Sequence, residues 1–242
     1  TTEIYTLSLH DALPILEEHL QHRGLEFTPI TVELNKGVTC ITGANMGGKT
    51  ISLKLVGLLT AMAQYGLFVP VKKATFGLSN FISASIGDMQ SADEGLSTFG
   101  GEIKLVQEAI MKSNNRGIIL IDELARGTNP EEGYAISKAV VNRLKDENSI
   151  TLITTHYDNI ANLDGVVHLQ VIGLSKIDFD ILDRELKDVD IDKMDIINRY
   201  MDYRLKVVER NSEVPKDAIN IARLMGLEEG IIHVAEEILE KK

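Results

Sequence analysis

Short apolar runs alternate with helix-like spacing along most of the chain. The strand-length runs are residues 38–42, 117–122 and 149–156. After the first run, apolar residues recur three and four positions apart, as on one face of a helix. They are Leu53, Val56, Leu59 and Met62. Similar spacing predicts helices over 102–112 and 132–145. Strands that alternate with helices predict an α/β fold, with a mostly parallel sheet covered by helices on both faces.

The first residues stand apart from this pattern. TTEIYTLSLHDALPI, residues 1–15, lacks the basic n-region and the cleavage site of a signal peptide. It resembles the translation of a sequencing-adapter sequence. We therefore expect this segment to be non-native and the chain to be the C-terminal piece of a longer protein; an ordinary strand is the alternative. Weak alternation predicts an early strand over 27–34.

The C-terminal part of the chain divides into two segments after a core of residues 16–173. The segment 174–203 is rich in Asp and Lys, which predicts an exposed acidic insertion. Residues 217–242 carry two helical patterns broken at Gly226-Leu227. The segment 204–242 is therefore expected to be a helical appendage.

Composition narrows the classes of function. The chain has 242 residues, with 25 Lys plus Arg against 36 Asp plus Glu, and a net charge of −11. This balance argues against the chain holding a nucleic-acid backbone by itself, because phosphate binding needs clustered cationic side chains. No apolar run approaches the length of a membrane span. The single Cys40 is expected to be a buried thiol, which fits a reducing, cytoplasmic setting.

A phosphate-binding motif follows the first apolar run. GANMGGKT matches G-x-x-x-x-G-K-[ST] between a strand and a helix. Glycines let backbone N–H groups converge on phosphate oxygens at a helix N-terminus. We expect Lys49 to neutralise the β and γ phosphates of ATP and Thr50 to hold Mg²⁺. The predicted nucleotide-binding residues are Gly43, Ala44, Asn45, Met46, Gly47, Gly48, Lys49 and Thr50.

An acidic pair, Asp122 and Glu123, ends the second apolar run. In a parallel sheet, this end of the strand lies at the same edge as the phosphate loop. Asp122 is therefore expected to reach Mg²⁺, and Glu123 to act as the base or to orient the water that attacks the γ-phosphate. The solvated start of a helix is the alternative for such a pair.

Two further polar residues follow predicted strands. His156 closes the third apolar run and is predicted to sense the γ-phosphate, with a structural histidine as the alternative. Gln90, in GDMQS, is predicted to link the nucleotide to a neighbouring domain, with a surface amide as the alternative.

The stretch LSTFGGE, residues 96–102, precedes a helix whose apolar spacing begins at Ile103. On local grounds, a Ser or Thr of this stretch caps the helix, and Glu102 lies in its first turn.

The motifs together resemble the MutS family, the mismatch-repair branch of the ABC-type P-loop ATPases. GANMGGKT, AQYGLFVP, LSTFGGE, DELARGTNPEEG and TTHY occur in that family's order, and AINIARLMGLEEGIIHVAEEIL is similar to its C-terminal helical pair. Ala44 stands where the family usually has Pro, and Thr50 where it usually has Ser. Gln90 stands where mismatch-recognising members usually have Asp, and GTNPEEG resembles a shorter variant of its motif. These departures indicate a side branch and speak against mismatch recognition.

The resemblance implies an ATPase core that uses ATP and Mg²⁺ and forms a homodimer through its ATPase face. Ser97 and Thr98 would then contact the nucleotide held by the partner subunit, with Asn129 in a loop that crosses the same interface. Phe27 would stack on adenine, with a core aromatic as the alternative. The segment 204–242 would take part in dimerisation.

Two functions of the whole protein stay open. The first is a DNA mismatch repair or recombination ATPase that reaches DNA through domains preceding this chain. The second is a protein-remodelling ATPase without a DNA partner, similar to MutS-like reactivation factors of cobalamin-dependent aminomutases. The acidic segment favours a protein partner. A nucleotide-binding scaffold without turnover is disfavoured, because Lys49, Asp122, Glu123 and His156 are all present.

Overall fold

The computed structural model describes residues 6–12, 29–43, 48–87, 98–174, 200–209 and 217–240. The strands are β1 (Thr6–Ala12), β2 (Val32–Asn35), β3 (Gly37–Thr42), β4 (Val71–Thr75), β5 (Ile82–Ser85), β6 (Ile118–Asp122), β7 (Ile150–Thr154), β8 (Val166–Gly173) and β9 (Asp202–Val207). The helices are α1 (Lys49–Gln64), α2 (Thr98–Lys112), α3 (Pro130–Leu144), α4 (Asp158–Ala161), α5 (Asp217–Leu224) and α6 (Glu229–Glu240).

The larger sheet has the strand order β5-β6-β7-β3-β8-β9. All neighbouring strands in it are parallel except β8 and β9, which are antiparallel. Every residue of β3 and β7 is buried, as expected for strands whose two faces are both covered. The predicted α/β fold with a mostly parallel sheet is therefore confirmed.

Helices cover both faces of this sheet, and alternate strand residues face each side. The cluster on the α1 face includes Leu53, Val56, Leu59, Leu120 and Leu152. The cluster on the α2 and α3 face includes Val106, Val141, Ile119, Ile121 and Ile153. Helix α1 lies so close to the sheet that a Cβ at Gly57 would come within 2.6 Å of the Leu120 side chain. Burial of these apolar residues anchors the helices that carry the candidate site.

A smaller antiparallel sheet has the order β2-β1-β4. Its central strand, β1, lies within the segment predicted to be non-native, and Leu9 on it is fully buried between Val32 and Ala74. The segment therefore takes the form of the alternative interpretation, an ordinary strand. The origin of its sequence stays a prediction, because an apolar alternation can pair with neighbouring strands whatever its source.

Several element boundaries differ from the predictions. The early strand begins at Val32 rather than at residue 27. Helix α2 begins at Thr98, so Glu102 lies beyond the first turn, and its predicted position in that turn is wrong. Strand β7 ends at Thr154, so His156 follows the strand instead of closing it. The physical reason for the shift in α2 is that Phe99, like Ile103, is partly buried and packs against the core cluster, so the apolar face of α2 begins before Ile103.

The segment around residue 200 is less exposed than predicted. Met201 is buried, and β9 pairs with β8, so the expected boundary after residue 203 falls inside a strand. Residues 175–199 of the predicted insertion lie outside the described part of the chain. The two predicted C-terminal helices are present as α5 and α6. Among the described residues, no helix has both the length and the apolar character needed to cross a membrane.

Candidate nucleotide site

Three neighbouring strands deliver polar residues to one edge of the larger sheet. Strand β7 lies between β6 and β3, and Thr154 at its end pairs in register with Asp122 of β6 and Ile41 of β3. Because the strands are parallel, their carboxyl ends meet at that edge, where ligands bind in open α/β sheets. Gly43, where β3 leads into the phosphate-loop motif, therefore lies at the same edge as Asp122.

The described residues at the two ends of the phosphate-loop motif are Gly43 and Gly48. Gly43 and Gly48 have φ angles of 120° and 76°, which side-chain-bearing residues rarely adopt. Helix α1 begins directly after Gly48, and the Lys49 ammonium group donates a hydrogen bond to the Gly43 carbonyl at 2.7 Å. The ring of Tyr203 also lies against Gly48, because a Cβ built there would be 3.1 Å from that ring. The helix N-terminus and the Lys49 cation thus meet at one place, as an anion site requires.

Asp122 is held between two threonine hydroxyls. Thr50 Oγ1 donates to Asp122 Oδ2 at 2.8 Å, and Thr154 Oγ1 donates to Asp122 Oδ1 at 2.6 Å. A hydroxyl and a carboxylate side by side are hard oxygen donors of the kind that Mg²⁺ prefers. Within the described ranges, no group of three or more His, Cys, Asp and Glu side chains could hold a metal ion. The donor set fits Mg²⁺, which commonly takes one or two carboxylates together with phosphate oxygens and water.

Glu123 lies beside the lysine in a tightly held turn. Its carboxylate is 3.5 Å from Lys49 Nζ and 3.7 Å from Arg126 Nε. Its backbone has a φ angle of 49°. Its N–H donates to two acceptors of Thr154, the carbonyl oxygen at 3.2 Å and the hydroxyl oxygen at 3.0 Å. Burial lowers the pKa of Lys49, and the neighbouring Glu123 opposes that shift. The turn therefore presents a carboxylate next to the predicted phosphate-binding cation.

The structure does not bring every predicted residue to this cluster. His156 is exposed and its ring lies 4.2 Å from that of Tyr157. Asn129 is the N-cap of α3, where its Oδ1 accepts the Glu131 N–H at 2.9 Å. Thr98 begins α2. Predicted site residues outside the described part of the chain are Phe27, Ala44, Asn45, Met46, Gly47, Gln90 and Ser97.

Sequence reasoning missed three residues around the site, Thr154, Glu102 and Tyr203. Thr154 contacts both Asp122 and Glu123, and its signal was a hydroxyl at the carboxyl end of a predicted strand. Glu102 accepts the Ala125 N–H at 3.1 Å, a contact with no local signal. Cys40, in contrast, is buried as predicted, and burial raises its pKa to about 12, so the thiol is not a reactive group.

Three features define a domain of the P-loop ATPase type: a phosphate loop that leads into a helix, an acidic residue at the end of a second parallel strand, and a mostly parallel sheet between helices. Comparison with known protein families identifies the family within this class. The sequence profile of MutS domain V matches residues 39–241, and the chain belongs to the MutS family. The predicted family is therefore confirmed, and the chain is its ATPase domain.

Curated relatives agree with this assignment. The chain is similar to Endonuclease MutS2 of Thermomicrobium roseum, at 36% identity over 215 residues, which cover 87% of the chain and 24% of that protein. Endonuclease MutS2 of Fusobacterium nucleatum is 32% identical over 99% of the chain and 29% of its own length. That of Thermus thermophilus is 44% identical over 49% of the chain and 16% of its own length. The chain thus spans less than a third of each of these relatives. ATPases of the family generally use Mg-ATP and dimerise.

Proposed function

We propose that this chain binds Mg-ATP and hydrolyses it at composite sites formed by two copies of itself. The observation that carries the proposal is the continuous set of contacts from the phosphate loop to the acidic pair. Lys49 lies 3.5 Å from Glu123, and Thr50 lies 2.8 Å from Asp122. These distances support the proposal, because phosphoryl transfer needs a cation, metal-binding oxygens and a base close to one another.

Each residue of the cluster has a distinct role in the proposal. Lys49 binds the β and γ phosphates, and Thr50 with Asp122 holds Mg²⁺. When bound, Mg²⁺ neutralises the charge that develops on the phosphate oxygens. Glu123 accepts the proton of the attacking water or orients that water. His156 is assigned to the γ-phosphate.

The remaining predicted contacts complete the composite site. Ser97, Thr98 and Asn129 are assigned to the nucleotide held by the other copy. Phe27 is assigned to adenine and Gln90 to the link with a neighbouring domain. The exposure of Asn129 and the position of Thr98 at the start of a helix are compatible with contacts to a second subunit.

Two substitutions separate hydrolysis from binding. We expect Glu123→Gln to slow ATP turnover about 100-fold or more while leaving ATP affinity within a few-fold of wild type, because the amide keeps the shape but is no base. Lys49→Ala should instead weaken ATP binding itself. Phosphate release and titration with a fluorescent ATP analogue measure the two effects. Glu131→Gln, an exposed carboxylate at the start of α3, is the matched control. Equal turnover by wild type and Glu123→Gln would remove Glu123 from its assigned role.

A mixing experiment tests the two-subunit site. Ser97→Ala should bind ATP in its own phosphate loop yet hydrolyse it poorly, because the lesion affects the other copy's nucleotide. Mixing it with Lys49→Ala puts both lesions at one site and leaves the second site intact, so activity should partly recover. Confirmed heterodimers that stay as inactive as either parent would refute the assignment.

For the whole protein, we propose a cytoplasmic role in DNA recombination or repair. The relatives are named Endonuclease MutS2, which supports a nucleic-acid substrate. With a net charge of −11, this chain itself is a poor match for a DNA backbone. DNA contact is therefore assigned to domains that this chain does not include.

A protein-remodelling ATPase is the second candidate, and the acidic composition of residues 174–203 favours it. A fluorescence-anisotropy titration with matched and mismatched duplexes, at two salt concentrations and with or without ATP, distinguishes the two. We expect this chain to bind either duplex only weakly at physiological salt and without preference. Tight mismatch-selective binding would contradict that assignment. Failure of the full-length protein to bind DNA would favour the protein-remodelling function.

A further inference from the structure

Glu102 joins two parts of the candidate site that are far apart in sequence. It lies on α2, which begins at Thr98 in the segment assigned to the other copy's nucleotide. Its carboxylate accepts a hydrogen bond from the Ala125 N–H, with the Ala125 nitrogen 3.1 Å from Oε1 and 3.3 Å from Oε2. Ala125 comes two residues after Glu123. One side chain thus connects the helix of the proposed trans contact to the turn that carries the proposed base.

The turn at residues 123–125 needs such support. Glu123 and Ala125 have φ angles of 49° and 62°, which are unfavourable for residues with a Cβ and persist only where surrounding contacts hold them. Three elements supply those contacts. Thr154, the last residue of β7, accepts the Glu123 N–H. Ser137 of α3 donates to the Leu124 carbonyl, and Glu102 of α2 accepts the Ala125 N–H.

The environment of Glu102 indicates that its contact with Ala125 matters. Burial raises the pKa of Glu102, and the Ala125 N–H opposes that rise. A half-buried carboxyl group is costly unless its oxygens are hydrogen-bonded. Glu108, which lies further along α2, has no hydrogen bond to the 123–125 turn among the described residues and serves as a comparison.

The geometry points to Glu102 as a positioning residue that holds Glu123 of its own chain beside Lys49. The inference rests on the proposed hydrolysis of ATP at this site. Without an acceptor at position 102, the Ala125 N–H is left unsatisfied and the left-handed turn loses one of its three supports. Glu123 then spends less time in the orientation that places its carboxylate 3.5 Å from Lys49.

A matched pair of substitutions isolates the acceptor. Glu102→Gln keeps an oxygen that can accept the Ala125 N–H, whereas Glu102→Met has a similar length but no such oxygen. We expect Glu102→Met to lower kcat about tenfold or more with little change in KM, as for loss of a hydrogen bond to a charged group. Glu102→Gln should restore most of kcat, and Glu108→Met should behave as wild type. If Glu102→Met lost its secondary structure by circular dichroism, Glu102→Ala gives the same comparison.

Hydrogen exchange provides a readout that does not depend on turnover. Glu102→Met should accelerate amide exchange over residues 123–128, and Glu102→Gln and Glu108→Met should not. Absence of ATP turnover by wild type would refute the proposed function but not the contact between Glu102 and Ala125. Unchanged amide exchange over residues 123–128 in Glu102→Met would refute that contact. Equal kcat for Glu102→Met and Glu102→Gln in an active enzyme would overturn the positioning role while leaving the proposed function intact.

Mixing with Lys49→Ala tests which copy's site is affected. In the heterodimer with Glu102→Met, the one intact phosphate loop belongs to the chain with the altered Glu123 turn, so activity should stay low. The Ser97→Ala mixture should recover under the same conditions. Equal recovery in both mixtures would show that Glu102 supports only the trans contact, and would overturn the inference.

Discussion

The edge of the larger sheet and the C-terminal helical pair differ in which side chains they bury and which they expose. At the sheet edge, Lys49 is only 3% exposed, and its charge is met by Glu123 and the Gly43 carbonyl. On α6, Ile231, Val234 and Ile238 are apolar and yet 50%, 54% and 58% exposed. The first region buries polar groups, whereas the second exposes apolar ones.

The difference follows from what each group needs. A buried charge must find its partners within reach, because an unpaired one is strongly destabilising. An exposed apolar side chain costs little by itself, and a contiguous set of them marks a surface that another molecule can cover. The contacts around Lys49 and Asp122 are therefore made within the chain, whereas the exposed face of α6 is suited to the dimerisation predicted for 204–242.

The largest effect should come from the sheet edge. Asp122→Asn keeps the size of the side chain but removes the charge that the Thr50 and Thr154 hydroxyls and Mg²⁺ require. We expect ATP turnover to fall about 1,000-fold, in line with the loss of metal-assisted charge stabilisation. Arg143→Ala, which breaks an exposed ion pair with Glu147, is the control. Turnover by Asp122→Asn within tenfold of wild type would mean that this edge is not the metal site.

Two adjacent isoleucines sharpen the comparison within α6. Ile232 is 1% exposed and Ile231 is 50% exposed. Ile232→Ala should lower the free energy of unfolding by about 2 kcal/mol, because it removes buried methyl groups and leaves a cavity. Ile231→Ala should change it by less than about 0.5 kcal/mol. Urea denaturation followed by circular dichroism measures both, and similar losses would mean that the two faces of α6 are equally buried in solution.

The exposed face of α6 should affect assembly more than folding. Val234→Asp combined with Ile238→Asp should raise the dissociation constant of the dimer by about tenfold or more, since desolvating the new carboxylates opposes association. The unfolding temperature at low protein concentration should stay close to that of wild type. Sedimentation equilibrium measures the dissociation constant of the dimer for both proteins. An unchanged dissociation constant would place the dimer contact elsewhere.

The smallest effect concerns His168 of β8, which contacts Thr42 at the end of β3. Its Nε2 pairs with Thr42 Oγ1 at 2.7 Å, and its Nδ1 lies 3.3 Å from Asn162 Oδ1. Burial lowers its pKa from the ordinary value of 6.5. The unfolded chain therefore binds more protons below pH 6.5, so this contribution to stability is present above that pH and is lost as the pH falls through the folded pKa.

We expect the unfolding temperature of wild type to fall more steeply between pH 7 and pH 5 than that of His168→Asn. Thermal unfolding across this range provides the measurement. Glu102, whose pKa burial raises, titrates alike in both proteins and drops out of the difference. Parallel curves would show that His168 does not titrate differently in the folded and unfolded chain.

The amino-acid sequence by itself determined the strand–helix order, the phosphate loop and the acidic pair. Each of these is a local property, because apolar runs and helical spacing record which faces are buried, and glycines record where the backbone must take left-handed angles. The pattern around Gly43, Lys49 and Asp122 therefore predicted both their elements and their meeting at one sheet edge. It also predicted the break between α5 and α6 at Gly226, which has φ 91°.

Only the tertiary structure decided where Thr154, Glu102 and β9 belong. Thr154 reaches Asp122 from 32 positions away, and Glu102 reaches Ala125 from 23 positions away. Local spacing placed Glu102 in the first turn of α2, but Phe99 packs against the core and the helix begins at Thr98. Strand β9 was not predicted, and its residues were divided between the exposed segment 174–203 and the helical appendage 204–242. Its edge position leaves several of its residues outside the core, so they carry no clear strand pattern. Hydrogen bonds and strand pairing across such distances depend on how the chain returns to the sheet, and no local pattern of residues records that return.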